Sequence, residues 1–281
     1  MDEYGFNMLP EDCVSTICSL TCPEDACKFS LVSSDFRVAA DSDIVWERFL
    51  PSDYSHILSR SFLPFHFSSK KELFYILSGS ILLDGGNKSF ALEKSGGKKS
   101  YILSARELFI LSGNESNHWS WKSIPESRFP EVAELKTISR LRIEAKIRTK
   151  TLSLYTIYGA YLIIKITNQA FGLDSIPSET SLVAGDDVQI NTAFFSPKNS
   201  RKMQMENLLY MNRMQMLKKR VNAGGNERFP VERKDGWMEI EIGEFYTDEI
   251  DKEITMSLME TKGHQLKGGL TIQGIEIRPK H

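Results

Sequence analysis

Cysteine is scarce in this chain, while long apolar runs, a surplus of one charge and the glycine loops of phosphate chemistry are missing. The 281 residues include 4 cysteines, all between Cys13 and Cys27. Zinc sites pair cysteines at short spacing across a longer loop. Cys13, Cys18, Cys22 and Cys27 are instead evenly and widely spaced, with no histidine nearby. Small apolar side chains on helices are the favoured reading, and only the clustering speaks for a metal. No stretch approaches the ~18 unbroken apolar residues of a membrane span. Met1-Asp2-Glu3-Tyr4 offers neither the basic residues nor the apolar run of a secretion signal. The chain is therefore expected in the cytoplasm and nucleus, with its cysteines as thiols. With 35 basic and 37 acidic residues the net charge is -2, so no bulk attraction to nucleic acid or acidic membrane follows.

Catalytic signatures are missing as well. There is no nucleophile elbow, no HExxH zinc helix and no phosphate-binding loop. Asp84-Gly85-Gly86 and Gly96-Gly97 read as turns. No cofactor is called for. Glu126, Glu131 and Glu134 offer the carboxylates of an acid–base pair, but spacing along the chain does not set their separation. Structural or solvated carboxylates are favoured, and no enzymatic role is expected.

What is present is an ordinary globular composition, 41% hydrophobic and 26% charged, in a chain long enough to bury a core without disulfides. Its character changes twice, suggesting a helical module at 1–50, a connector at 51–95 and a β-rich module at 96–281. In the first, Pro10 suits the opening turn of a helix and Glu11 and Asp12 complement its dipole. Val14, Ile17 and Leu20 mark an apolar face. Thr21 with Glu24 has capping-box spacing for a second helix, and a third is expected over residues 31–40. So small a bundle has a thin core. Leaving Leu9, Pro10 and Ile17 in water would be costly unless a partner or the rest of the chain covers them.

Leu9-Pro10-Glu11-Asp12, Ile17, Leu20, Pro23-Glu24-Asp25-Ala26, Ser30-Leu31-Val32-Ser33, Phe36 and Trp46 together resemble an F-box. That resemblance implies a module gripping the Skp-type adaptor of a cullin–RING ubiquitin ligase. Carried over by position, Leu9, Pro10, Ile17, Leu20, Pro23, Leu31, Val32 and Trp46 would supply the apolar contact. Ser33 stands where many F-boxes have Cys, and Phe36 where many have Trp.

In the connector, Ser69 and Glu72 signal another helix start, and Asp84-Gly85-Gly86-Asn87 a hairpin turn between 81–83 and 90–92. Beyond it, Leu141, Ile143, Ala145 and Ile147 alternate with charged residues, the mark of a strand with one wet face. Val188, Ile190, Thr192 and Phe194 alternate in the same way, as do Met238, Ile240 and Ile242. Ile254, Met256 and Leu258 mark another strand, and residues 159–166 read as one buried on both faces. In the last strand the apolar phase flips at Gln273-Gly274, which predicts a β-bulge. Many such strands without intervening helices imply an antiparallel sandwich. A methionine-rich stretch at 202–219 reads as a helical insertion or an adaptable docking surface. Lys98-Lys99 and Lys218-Lys219-Arg220 read as solvated loops, the second also fitting a nuclear import signal.

Trp119-Ser120-Trp121 places two indoles on one strand face, as a platform for a sugar or as core. Around it, Lys99-Ser100-Tyr101, Leu103-Ser104-Ala105-Arg106-Glu107-Leu108, His118-Trp119-Ser120-Trp121, Asp235-Gly236-Trp237 and Gly274-Ile275-Glu276-Ile277-Arg278-Pro279 are similar to phloem protein 2. The related tobacco agglutinin, Nictaba, binds N-acetylglucosamine oligomers and N-glycan cores. The resemblance implies a jelly-roll-like lectin sandwich and carbohydrate contact through Trp119 and Trp121. The agglutinin pattern has a further Trp seven residues before Trp119, where this chain has Ser112.

Taken together these readings describe an α+β multidomain protein, with a helical F-box followed by an antiparallel β-sandwich. The expected role is the substrate-recognition subunit of an SCF-type ligase. Its partners would be a Skp-type adaptor and a target glycoprotein or protein, with neither nucleic acid nor membrane. A lectin acting independently of ubiquitination is the alternative.

Overall fold

The computed structural model describes residues 9–173, 176–196 and 227–280. The methionine-rich stretch at 202–219 and Lys218-Lys219-Arg220 lie outside these. Two compact units divide the chain between Tyr101 and Ile102.

The first unit opens with α1 (Glu11–Ser19), α2 (Pro23–Phe29), α3 (Ser34–Asp41) and α4 (Asp43–Phe49). Capping chemistry sets their starts. Pro23 takes the first position of α2, so the preceding residue must be the cap. Cys22 fills that place, its sulfur accepting from the Asp25 N–H at 3.4 Å. The expected cap, Thr21, turns its hydroxyl back onto the Cys18 carbonyl at 2.7 Å. The third helix begins later than the expected residue 31. Ser33 accepts from the Phe36 N–H, and this cap holds Leu31 and Val32 outside the helix in the preceding turn.

Small residues bring α1 and α3 close. The Ser15 hydroxyl donates to the Ala39 carbonyl at 3.2 Å, and Val14, Cys18, Ala39 and Ala40 are buried. The face of α1 that packs is therefore Val14, Ser15 and Cys18, not the expected line of Val14, Ile17 and Leu20. Trp46 anchors the core. Its indole donates to the Ala40 carbonyl at 2.8 Å, and its ring meets Phe49 and Phe74. After α5 (Tyr54–Ser59) comes α6 (Lys70–Ser78), capped by the Ser69 hydroxyl as expected. Glu72 returns to the N–H of Ser68 at 2.7 Å, one residue before that cap. The hairpin of β1 (Ile81–Leu83) and β2 (Lys88–Leu92) turns at Asp84-Gly85-Gly86, also as read from the sequence.

The second unit holds two largely antiparallel sheets. In one, β15 (Gly268–Pro279), β8 (Thr156–Phe171), β13 (Met238–Thr247) and β12 (Val231–Glu232) run side by side. Along β15 also lies β6 (Val132–Leu135), which pairs with β5 (Trp119–Lys122). The strand β3 (Lys99–Ser104) crosses the division between the units. The other sheet has the order β11 (Glu227–Arg228), β10 (Asp187–Ala193), β9 (Ser178–Ala184), β14 (Glu253–Glu260), β7 (Leu141–Arg148), β4 (Phe109–Ile110). Only β10 and β11 are parallel among these pairs. As expected, β15 shifts register between Ile272 and Gly274.

One alternation is inverted. In β10, Val188 and Ile190 face solvent while Asn191 and Ala193 are buried. The cause lies in the facing strand, where β13 shifts register between Glu241 and Gly243 and its backbone needs partners. Asn191 donates to the Ile242 carbonyl at 3.3 Å. Gln189 donates to the Glu244 carbonyl at 2.7 Å and accepts from the Glu244 N–H at 3.1 Å. Satisfying that bulge decides the orientation of β10 against its apolar residues.

Candidate binding sites

On the first unit the eight residues picked out from the sequence fall into two sets. Leu9, Pro10, Ile17, Leu20, Leu31 and Val32 are exposed, Leu31 to 78% and Leu20 to 67%. Pro23 and Trp46 are buried, Trp46 to within 1%. The helical bundle thus shows six apolar side chains to water and keeps two as support beneath. Local chemistry explains the exposure. Small inward residues on α1 leave Ile17 and Leu20 unpacked, and the Ser33 cap holds Leu31 and Val32 out in the turn. No cysteine cluster joins them. Among the described residues no group of three or more metal-ligating side chains occurs, and Cys18 is buried with its thiol pushed up by desolvation.

On the second unit Trp119 is 2% exposed, and its indole donates to the Leu111 carbonyl at 3.1 Å. Trp121 is half-buried and donates to the Gly113 carbonyl at 3.0 Å. Both indole N–H groups are spent on the turn containing Ser112, whose φ of 57° is left-handed. The guanidinium of Arg106 covers the Trp121 ring at 3.6 Å and is held there by Glu131 at 2.6 Å. Neither indole is an open platform in this state. Sequence reasoning missed the Arg106 cover, because an arginine and a tryptophan so far apart in the chain give no local signal.

Of the acidic residues that could have paired for catalysis, Glu131 and Glu134 are separately engaged. Glu131 holds Arg106, and Glu134 pairs with Lys122 and accepts from Ser120 at 3.1 Å. The Lys122 hydrogen bond keeps the Glu134 carboxyl below its ordinary range. Glu126 contributes its backbone carbonyl to the Trp237 indole.

A helical bundle showing an apolar surface, together with a two-sheet unit, defines a modular binding protein. The F-box family matches residues 6–48, and the phloem protein 2 family matches residues 98–279. The chain belongs to the phloem protein 2 family, in the form that carries an F-box. It is 50% identical to F-box protein PP2-B15 of Arabidopsis thaliana over 97% of this chain and 96% of that one. It is 48% identical to F-box protein VBF of the same plant, over 97% and 99% of the two chains. F-box protein PP2-B13, also from Arabidopsis thaliana, is 49% identical over 97% and 98%. Both matched modules are non-catalytic.

Proposed function

We propose that this protein is the substrate-recognition subunit of an SCF-type ubiquitin ligase, working in the cytoplasm and nucleus. The observation that carries this reading is the exposed set Leu9, Pro10, Ile17, Leu20, Leu31 and Val32, on a segment matched by the F-box family. Covering such side chains releases roughly 1.5–3 kcal/mol each when burial is complete, which is ample drive for adaptor docking. The helical module at 1–50 would hold a Skp-type adaptor and through it a cullin–RING assembly. The module at 96–281, read as a jelly-roll-like lectin sandwich, would hold a protein or glycoprotein target. Ubiquitin transfer then accelerates by proximity, because the target lysine is held near the loaded conjugating enzyme. This chain need supply no catalytic group.

If the target presents a glycan, Trp121 is the indole within its reach, and Arg106 must swing away to bare the ring. The test of the main reading is adaptor capture. Full-length Leu20→Asp and Leu31→Asp proteins should lose the Skp-type adaptor in a pull-down while melting like wild type. Undiminished capture by both would refute it.

A further inference from the structure

The wet face of the first sheet contains a hollow of about 280 Å3 across β5, β6, β15 and β8. Strand register builds its floor. Ser120 lies opposite Glu134, Glu134 opposite Thr271, and Thr271 opposite Lys165, so the four side chains share one face. Trp119 and Trp121 alternate with Ser120 and therefore point to the other side.

The polar groups around the hollow are unevenly matched. Glu134 is the one acidic residue lining it, and its carboxylate is already engaged by Lys122 and Ser120. Lys165 lines it too, its ammonium lying 4.7 Å from the centre of the Trp237 ring. No carboxylate among the described residues pairs with Lys165. Thr167, Asn168 and Thr271 add side-chain donors, and Ile124 and Ile166 form apolar walls. Two ammonium groups, Lys122 and Lys165, face one carboxylate here, a local excess of positive charge on a chain of net charge -2. A neutral polyol would be expected to rest on an aromatic face. The Trp237 ring is buried and faced by Lys165, so no open ring lines the site.

We infer that the hollow is a docking site for an oxyanion-bearing side chain of a target polypeptide, a carboxylate or a phosphate flanked by an aliphatic residue. Lys165 meets the anion, Thr167, Thr271 and Asn168 complete its hydrogen bonds, and Ile124 and Ile166 take the neighbouring aliphatic group. The volume lies just below that of small-molecule clefts and suits one or two side chains. This assignment rests on the second module's being the target-binding one.

The experiment uses full-length protein and short peptides with glutamate, phosphoserine, glutamine or serine at the centre, each beside leucine. Wild type should bind the glutamate or phosphoserine peptides, more weakly as salt rises, and ignore the glutamine and serine ones. The two anionic arms tell carboxylate from phosphate. Lys165→Met should weaken that binding about tenfold to a hundredfold, the loss expected for one charge-assisted contact. Asn168→Ala, at an exposed position, should weaken it by a smaller factor. Adaptor capture should be unchanged in both variants. Equal binding of neutral peptides, no peptide binding by wild type, or unaltered binding by Lys165→Met would overturn the assignment. So would N-glycan retention that Lys165→Met abolishes, which would give the hollow to a sugar. Each of these leaves the ligase reading standing while the adaptor is still captured; loss of the adaptor reading shows separately in the Leu20 and Leu31 variants.

Discussion

The Lys267 ammonium and the Glu260 carboxylate meet where water does not reach, the two side chains keeping 3% and 2% of their surface. The surrounding loop completes the pair. Lys267 donates to the Ser139 carbonyl at 2.6 Å and to the Gln265 carbonyl at 3.1 Å, and Glu260 accepts from the Gly263 N–H at 2.7 Å. Removing one partner strands the other as a buried charge, at a cost of about 3–5 kcal/mol. Lys267→Met should therefore lower stability by that order in urea unfolding. The double variant Lys267→Met/Glu260→Leu should recover most of the loss, since two apolar groups need no mutual charge. A double variant as unstable as the single one would show that the pair does more than neutralise itself.

Exposed and buried residues of the helical module should respond in opposite ways. Leu31→Asp changes a side chain in open water and should leave the unfolding free energy within about 0.5 kcal/mol of wild type. Trp46→Ala removes a ring packed on Phe49 and Phe74 and the hydrogen bond to Ala40. It should cost about 3–5 kcal/mol, so any loss of adaptor follows from unfolding. Chemical denaturation beside the pull-down separates the two effects.

Much of this could be read from the chain itself, because local chemistry decided it. The Ser69 cap, the Asp84-Gly85-Gly86 turn and the phase flip at Gln273-Gly274 each carry their own signal. What the chain alone did not show was decided at a distance. The inward turn of Asn191 answers a bulge in β13, and the closure of Trp121 answers Arg106. The burial of Pro23 and Trp46 follows from how the helices pack, while the family pattern alone does not separate contact residues from supporting ones.

Asp84 links acidity to stability in the first unit. It occupies the left-handed region at φ 52°, and Arg60 grips its carboxylate through two bonds of 2.7 and 2.9 Å. That grip pulls its pKa down to about 2. A depressed carboxyl adds stability that is fully present above its unfolded pKa, near 3.9, and is lost as pH falls through the folded value. The window is thus about pH 4 down to 2. Asparagine tolerates the same backbone, so Asp84→Asn removes the charge without adding strain. The variant should be about 1–2 kcal/mol less stable at pH 7, after allowing for solvent screening of a partly exposed pair. It should lose less than wild type between pH 4 and 2. Parallel urea melts across that range give the comparison, and identical slopes would remove Asp84 from the account.

Gly274 marks the bulge that could be read in advance, and the backbone around it explains why glycine stands there. A methyl group on its α-carbon would fall 2.0 Å from the Leu103 carbonyl oxygen and 3.2 Å from the Ser104 α-carbon. Both obstacles are backbone, so neither can rotate aside as a side chain would. Gly274→Ala must push β3 away from β15 where the ladder already skips a residue. Forced separation of packed strands costs about 1–3 kcal/mol and sometimes more. Gly236 offers the contrast. Nothing lies within 4 Å of its would-be methyl group, though its φ of 78° makes alanine strained there. Gly236→Ala should therefore cost about 1–2 kcal/mol from strain alone and leave amide exchange in β15 unchanged. Gly274→Ala should speed exchange on both sides of the bulge, from Ile272 to Ile275. Exchange there as slow as in wild type would mean that the strands accommodate the methyl group, and that glycine at this position is not required by the approach of Leu103.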